Sequence, residues 1–230
     1  MASARATVKA RPRQAAKPAA SARSQSNIAP AASTPVSGAA ATDDTRITAL
    51  ELDPTTLNPA MQAYFSKCEE KLGFIPNVLK AYAFDMAKLE AFVAMYNDLM
   101  LAPSGLSKLE REMIAVAVSS ENHCYYCLVA HGAGVRTLSG DPALGELMAM
   151  NYRAARLTKR QRAMLDFTAK LTREPWGIED ADRDALRHAG FSDRDIFDIA
   201  AEAAFFNMSN RIASATDMRP NSVYHYQGRT

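Results

Sequence analysis

From about residue 55 onward, apolar residues return along the chain at intervals of three and four, the spacing that lines one face of an α-helix. In "MAKLEAFVAMYNDLM" the recurring set is Leu89, Phe92, Val93, Tyr96 and Leu99 or Met100, an amphipathic helix by that measure. Upstream, "SKCEEKLGFIPNVLKAYA" runs into Gly73, where a helix can end in the left-handed conformation, and Pro76 opens the next element. Further starts are marked by Ser107 with Glu110 and by Thr158 with Gln161, both matching the capping box, and by the looser pair Ser192 and Asp195. Gly190 supplies a stop just before the last of these. Only "REMIAVAVSSE" invites a strand assignment, yet it continues from a capped start for about four turns, which favours helix. No alternating segment with a tight Asn-Gly or Asp-Gly turn is present. The pattern predicts an all-α protein, a bundle of about eight helices within residues 46–230.

The first 42 residues break that pattern. They carry Arg5, Lys9, Arg11, Arg13, Lys17 and Arg23 with no acidic residue, in a background of Ala, Ser, Pro and Thr. Such a stretch cannot bury enough surface to offset its ordering entropy, so residues 1–45 are predicted to be a disordered basic tail. The composition also suits an organellar transit peptide, while the hydrophobic centre of a secretory signal is missing. Those six of the 27 basic residues leave 21 against 25 acidic ones in residues 43–230, so nothing marks the folded part as a nucleic-acid binder. No apolar run reaches the roughly 18 to 20 residues of a spanning helix, and an integral membrane protein is not expected. Three cysteines are too few for a disulfide-stapled secreted scaffold, so a reducing, cytoplasmic setting is the expectation.

Two of those cysteines lie three apart in "SSENHCYYCLVAHGAGVR". At about 100° per residue, Cys124, Cys127 and His131 project from one side of a helix within an arc of about 60°. "SSENH" reads as a break and restart, placing the pair in the first turn, where unpaired amides and the macrodipole favour thiolate over thiol. His131, one turn beyond Cys127, can take its proton directly or through a water. On the preceding segment, Glu112 interrupts an apolar face and needs a partner if it meets another helix. A turn around Asn122 would set it opposite His131, orienting the imidazole as the acid of a triad does. Glu110 and Glu121 compete for that role on spacing alone.

With these residues in view, the chain resembles a known family. Glu112, Cys124, Cys127 and His131, read as E-x11-C-x2-C-x3-H, are similar to the active-site motif of alkylhydroperoxidase D-like enzymes in the carboxymuconolactone decarboxylase superfamily. "GLSKLEREMIAVAVSSENHCYYCLVAHG" resembles in particular the branch called peroxidase-related enzymes, and the likeness extends over roughly residues 53 to 216. The resemblance implies an all-helical fold, a homo-oligomer, and a peroxidase or disulfide-reductase role without metal, haem or other cofactor. It implies a proton relay from Cys127 through His131 to Glu112. Cys127 would attack a hydroperoxide, Cys124 would close a disulfide on the resulting sulfenic acid, and an external dithiol of thioredoxin or lipoyl type would restore the pair. Helix-terminus electrostatics alone would instead make Cys124 the stronger thiolate. One departure stands out: Tyr126 occupies the place before the second cysteine where the family often has a histidine.

Other readings of the same residues are weaker. Zinc would find Cys124, Cys127 and His131, but His123 points about 100° away from Cys124 and no second C-x2-C or H-x3-H supplies a fourth ligand. An electron-carrying adaptor or thiol sensor would use the same pair, whereas carboxymuconolactone decarboxylation needs no cysteine pair. Met95, Met100, Met113, Met148, Met150 and Met164 are expected as core filling, Trp176 as a packing anchor, and His188 as a helix-end cation. Cys68 is expected to pack or to be spare. Asn207, Asn210 and Arg211 in "FFNMSNR" are assigned to a pocket lining or an interface.

Overall fold

The computed structural model describes residues 46–229. The basic tail predicted for residues 1–45 lies outside the described residues. Among the described residues nine α-helices follow one another: α1 (Pro59–Leu72), α2 (Asn77–Tyr82), α3 (Met86–Leu101), α4 (Lys108–Glu121), α5 (Tyr125–Ser139), α6 (Pro142–Asn151), α7 (Lys159–Arg173), α8 (Asp180–His188) and α9 (Asp193–Ala215). Short 3-10 turns lie at Tyr152–Ala154, Pro175–Gly177 and Ser222–His225, and no strand occurs among the described residues. The fold is all-α, as the spacing predicts, with one helix more than the expected eight. The six-residue α2 is under two turns long, too short to show a period of its own.

The local signals act where the sequence places them. Ser107, Thr158 and Ser192 each accept a bond from the third backbone amide of their helix, and Glu110, Gln161 and Asp195 reach back to complete all three capping boxes. Gly73 ends α1 at φ +79°, a conformation that would strain any residue with a Cβ.

The hub is α4. Met113, Ile114, Ala115, Val116, Ala117 and Val118 are all 2% exposed or less, because α5, α6, α7 and α9 surround this helix. A helix packed on every side has no polar face to reveal its period. That explains why "MIAVAV" could be mistaken for a strand. Each large side chain buried there contributes about 1.5–3 kcal/mol relative to exposure. The segment before α1 is tied to the far end of the chain, with the Ala49 amide on Thr216 O at 2.7 Å and the Arg219 amide on Ile47 O at 2.9 Å. No helix among the described residues is long and apolar enough to cross a membrane.

Candidate active site

Between α4 and α5 the chain turns in three residues. Asn122 caps α4, His123 takes a positive φ of 52°, and Cys124 is the N-cap of α5 with extended backbone. A non-glycine residue at positive φ needs support from its surroundings. The Cys124 amide donates to Ser119 O at 3.0 Å, and the Asn122 side-chain amide donates to Asn207 Oδ1 and Asn210 Oδ1, both at 3.0 Å. Asn210 in turn donates to the Ser119 hydroxyl at 3.0 Å. The carboxamides of α9 therefore hold the turn that carries the sulfurs. They do not line the cavity described below. Arg211 points outward and bonds back to Asn207 of its own helix at 2.7 and 2.8 Å.

Cys127 falls in the first turn of α5 while Cys124 stands just before it, so only Cys127 and His131 keep strict helical register. Cys124 and Cys127 are each 1% exposed, and Cys68, Cys124 and Cys127 are all free thiols. The Cys127 thiol donating to the Cys124 sulfur, against the opposing effect of burial, brings the Cys124 thiol down to about 6. The Cys127 amide, the Ser214 hydroxyl and His131 pull in the same direction. The same sulfur–sulfur bond, together with burial and the Cys124 charge, pushes the Cys127 thiol well above its ordinary range, although Asn210 and Ser209 favour its anion. The pair thus gives up one proton easily and holds the second tightly. Ser209 and Ser214 are contributions that sequence reasoning missed. Their signal lies in polar residues recurring at Asn207, Asn210 and Ser214, three and four apart within an apolar helix.

His131 Nδ1 lies 2.7 Å from Glu112 Oε2. A carboxylate only accepts, so Nδ1–H donates and Nε2 is left as the free ring nitrogen. The side chains are 13% and 17% exposed, and the Phe206 ring edge packs against the imidazole at 4.6 Å. This approach depends on Gly134: a Cβ there would sit 2.6 Å from Glu112 Oε2. The competing acids are used elsewhere. Glu110 closes its capping box and pairs with Arg160 at 2.9 Å, and Glu121 pairs with Arg173 at 3.3 Å. Tyr126, which stands where the family often has histidine, accepts the Val78 amide at 3.0 Å and has its phenol pushed well up by burial, so it holds its proton.

Beside the pair lies a cavity of about 760 Å³ whose lining includes Glu112, His131, Gly134, Ala130, Val78 and Cys68. The two sulfurs are not in its wall. Tyr126 belongs both to the cavity lining and to the buried cluster that contains Cys124 and Cys127, and Val78 and Ala130 line the cavity and pack against that cluster, so these three side chains form the partition between cavity and sulfurs. The Ser222–His225 turn closes one side, with Tyr224 in the lining. It is anchored by buried Arg136, which donates to Gln227 O at 3.0 Å and to Tyr224 O at 2.7 Å.

Among the described residues, no three His, Cys, Asp or Glu side chains are arranged to hold a metal ion. His123 is exposed, and His188 bonds to Asp184 O within its own helix at 2.7 Å. Two packing expectations fail. Trp176 is 84% exposed, and Met95 and Met150 are also exposed, because each falls on a face that no other element of the described chain covers. Met100, Met113, Met148 and Met164 are buried as expected. Cys68 is half-buried in the cavity wall.

Comparison with known proteins now gives these features a family. The model of the carboxymuconolactone decarboxylase family matches residues 88–143. A peroxidase-related protein from Silicibacter sp. TM1040 shares 63% identity, with 82% of this chain and 100% of that chain covered and a TM-score of 0.79. A second, described as an alkylhydroperoxidase AhpD core and peroxidase-related protein from Ralstonia eutropha JMP134, shares 41% identity, with 80% and 98% covered and a TM-score of 0.77. The debrominase Bmp8, solved with 2,3,4-tribromopyrrole, shares the fold at 18% identity, with 78% and 97% covered and a TM-score of 0.65. No curated protein matches the chain. The chain belongs to the carboxymuconolactone decarboxylase superfamily, in its alkylhydroperoxidase-like group.

Proposed function

We propose that this protein is a thiol-dependent peroxidase that reduces hydroperoxides through Cys124 and Cys127, with His131 and Glu112 as a proton relay. The observation that carries this reading is the convergence of a 2.7 Å His131–Glu112 bond with a hydrogen-bonded thiol pair whose first proton leaves near pH 6. The charge of the resting pair sits on Cys124, and transfer of the shared proton moves it to Cys127. Cys127 is the attacking sulfur because its helical position falls on the stripe continued by Ala130, His131 and Gly134, which line the cavity.

In the first step the thiolate sulfur bonds to the terminal peroxide oxygen as the O–O bond breaks. Cysteine becomes sulfenic acid, and the departing alkoxide takes a proton supplied through His131. Glu112 holds Nδ1 and stabilises the imidazolium while it carries that proton. In the second step the Cys124 sulfur attacks the sulfenic sulfur, forming a disulfide and releasing water. An external dithiol then returns two electrons and two protons by exchange through a mixed disulfide, itself becoming a disulfide. The family likeness favours a reductant of thioredoxin or lipoyl type and a homo-oligomeric enzyme.

The 1% exposure of Cys124 and of Cys127 favours a second reading, an electron-carrying adaptor whose thiols meet peroxide only slowly. Stopped-flow mixing with a small alkyl hydroperoxide, followed by mass spectrometry, separates the two. The peroxidase reading expects rapid loss of two thiols, a Cys124–Cys127 link and an unmodified Cys68. Oxidation no faster than that of a free thiol would leave the adaptor.

A further inference from the structure

The cavity is much larger than the smallest peroxides need. Clefts of about 300–1,000 Å³ hold ligands of drug-like size, and a volume of about 760 Å³ falls well inside that range. Its walls are mainly aromatic and aliphatic, with Phe74, Leu79, Phe92, Val93 and Leu138 among them. Its charges are few and unequally placed. Among the described residues, Glu112 is the only carboxylate in the lining and is already engaged by His131, at the shielded end. The remaining charged residues are Lys67 and Lys71, four apart on one face of α1, both exposed to solvent and neither in an ion pair among the described residues.

From this distribution we infer that the substrate is an amphipathic organic acid hydroperoxide. Its apolar body fills the cavity, its peroxide end meets the His131 side, and its carboxylate is held by Lys67 and Lys71 at the mouth. This rests on the peroxidase reading for the peroxide and on the cavity alone for the acid and its apolar chain. Away from the relay, the polar side chains of the lining, Asn97, Thr137 and Gln227 among them, are neutral, so the interior offers a charged group no counter-charge. The lysines give the one place where an anion gains on entry. Exposed ion pairs are modest, so the two ammonium groups together set a preference of about three- to tenfold, weakened by salt. The partition adds a size rule. Val78, Tyr126 and Ala130 stand between cavity and sulfurs, so the peroxide group must sit at the end of a slender chain rather than on a bulky branched carbon.

The test uses the reduced full-length protein and inert analogues. In calorimetric titrations decanoate should bind about three- to tenfold more tightly than decanol. In Lys67→Ala/Lys71→Ala that preference should vanish, with decanol affinity unchanged. In Ala102→Phe, which places a ring in the cavity wall away from the relay, both ligands should lose binding. Equal affinity for decanoate and decanol in the wild type, or unaltered binding in Ala102→Phe, would overturn the inference. A kinetic arm uses ten-carbon hydroperoxides, as the acid and as its methyl ester, and should show the same preference in the rate of thiol oxidation at low substrate. If the acid preference persists in binding but neither peroxide oxidises the thiols, the peroxidase reading fails and the acid-binding cavity stands.

Discussion

The two spaces beside α5 are built to opposite rules. The sulfurs sit in a small buried cluster supplied with hydroxyls and a carboxamide from α9, while the cavity is large, mainly apolar and holds one paired acid. They share a helix and a wall formed by Val78, Tyr126 and Ala130. Under the proposed function, the difference teaches that reactivity and recognition are separated: polar partners at fixed positions set which sulfur carries charge, and non-directional apolar burial would select the molecule that arrives. His131 and Glu112 line the cavity, and the charge of His131 also favours the Cys124 anion.

The comparison is broken most severely by removing the sulfur on the shared side. Cys127→Ser should lower the rate of thiol oxidation by peroxide by at least about a thousandfold, while decanoate binding in the cavity is retained. Stopped-flow and calorimetry on the same sample check both halves.

Glu112→Gln leaves the imidazole a neutral partner in place of a carboxylate. Peroxide-driven oxidation should fall about a hundredfold, and the apparent pKa of the pair, read by thiolate absorbance, should rise. Gly134→Ala reaches the same bond sterically, because the new methyl displaces the Glu112 carboxylate. A loss of about tenfold is expected. A wild-type rate in either variant would exclude the relay.

Asn210→Ala tests the polar side of the sulfur cluster. It leaves the Ser119 hydroxyl and the Asn122 amide each short of a partner beneath a strained turn. Urea denaturation should show a loss of about 1–3 kcal/mol. The mildest probe is pH. The reactive form is the monoanion of the pair, so the oxidation rate should rise with pH through about 6 and be level by pH 8. An isolated thiol would still be gaining rate above pH 8.

Much of this arrangement is legible in the residues because its signals are local. The cap pairs at Ser107, Thr158 and Ser192 mark helix starts within four residues, and Cys127 and His131 share a face by spacing alone. The choice of Glu112 over Glu110 and Glu121 was not legible, since all three lie on one helix at plausible distances. It was decided by which acids found arginines elsewhere and by the missing Cβ at Gly134. Trp176 and Met150 misled because residue type states a preference for burial without providing a neighbour.

The sequence by itself determined the longer helices, many of their ends and the shared face of Cys127 and His131, which follow from period, capping chemistry and short spacing, while the family and the place of Glu112 in the motif came from resemblance. Only the tertiary structure decided that α9 holds the turn, that Val78, Tyr126 and Ala130 divide sulfur from cavity, and that the cavity carboxylate Glu112 is hydrogen-bonded to His131 while Lys67 and Lys71 have no ion pair among the described residues. Those facts depend on contacts between residues tens of positions apart. Such contacts are selected by packing and the pairing of buried polar groups, which no local pattern encodes.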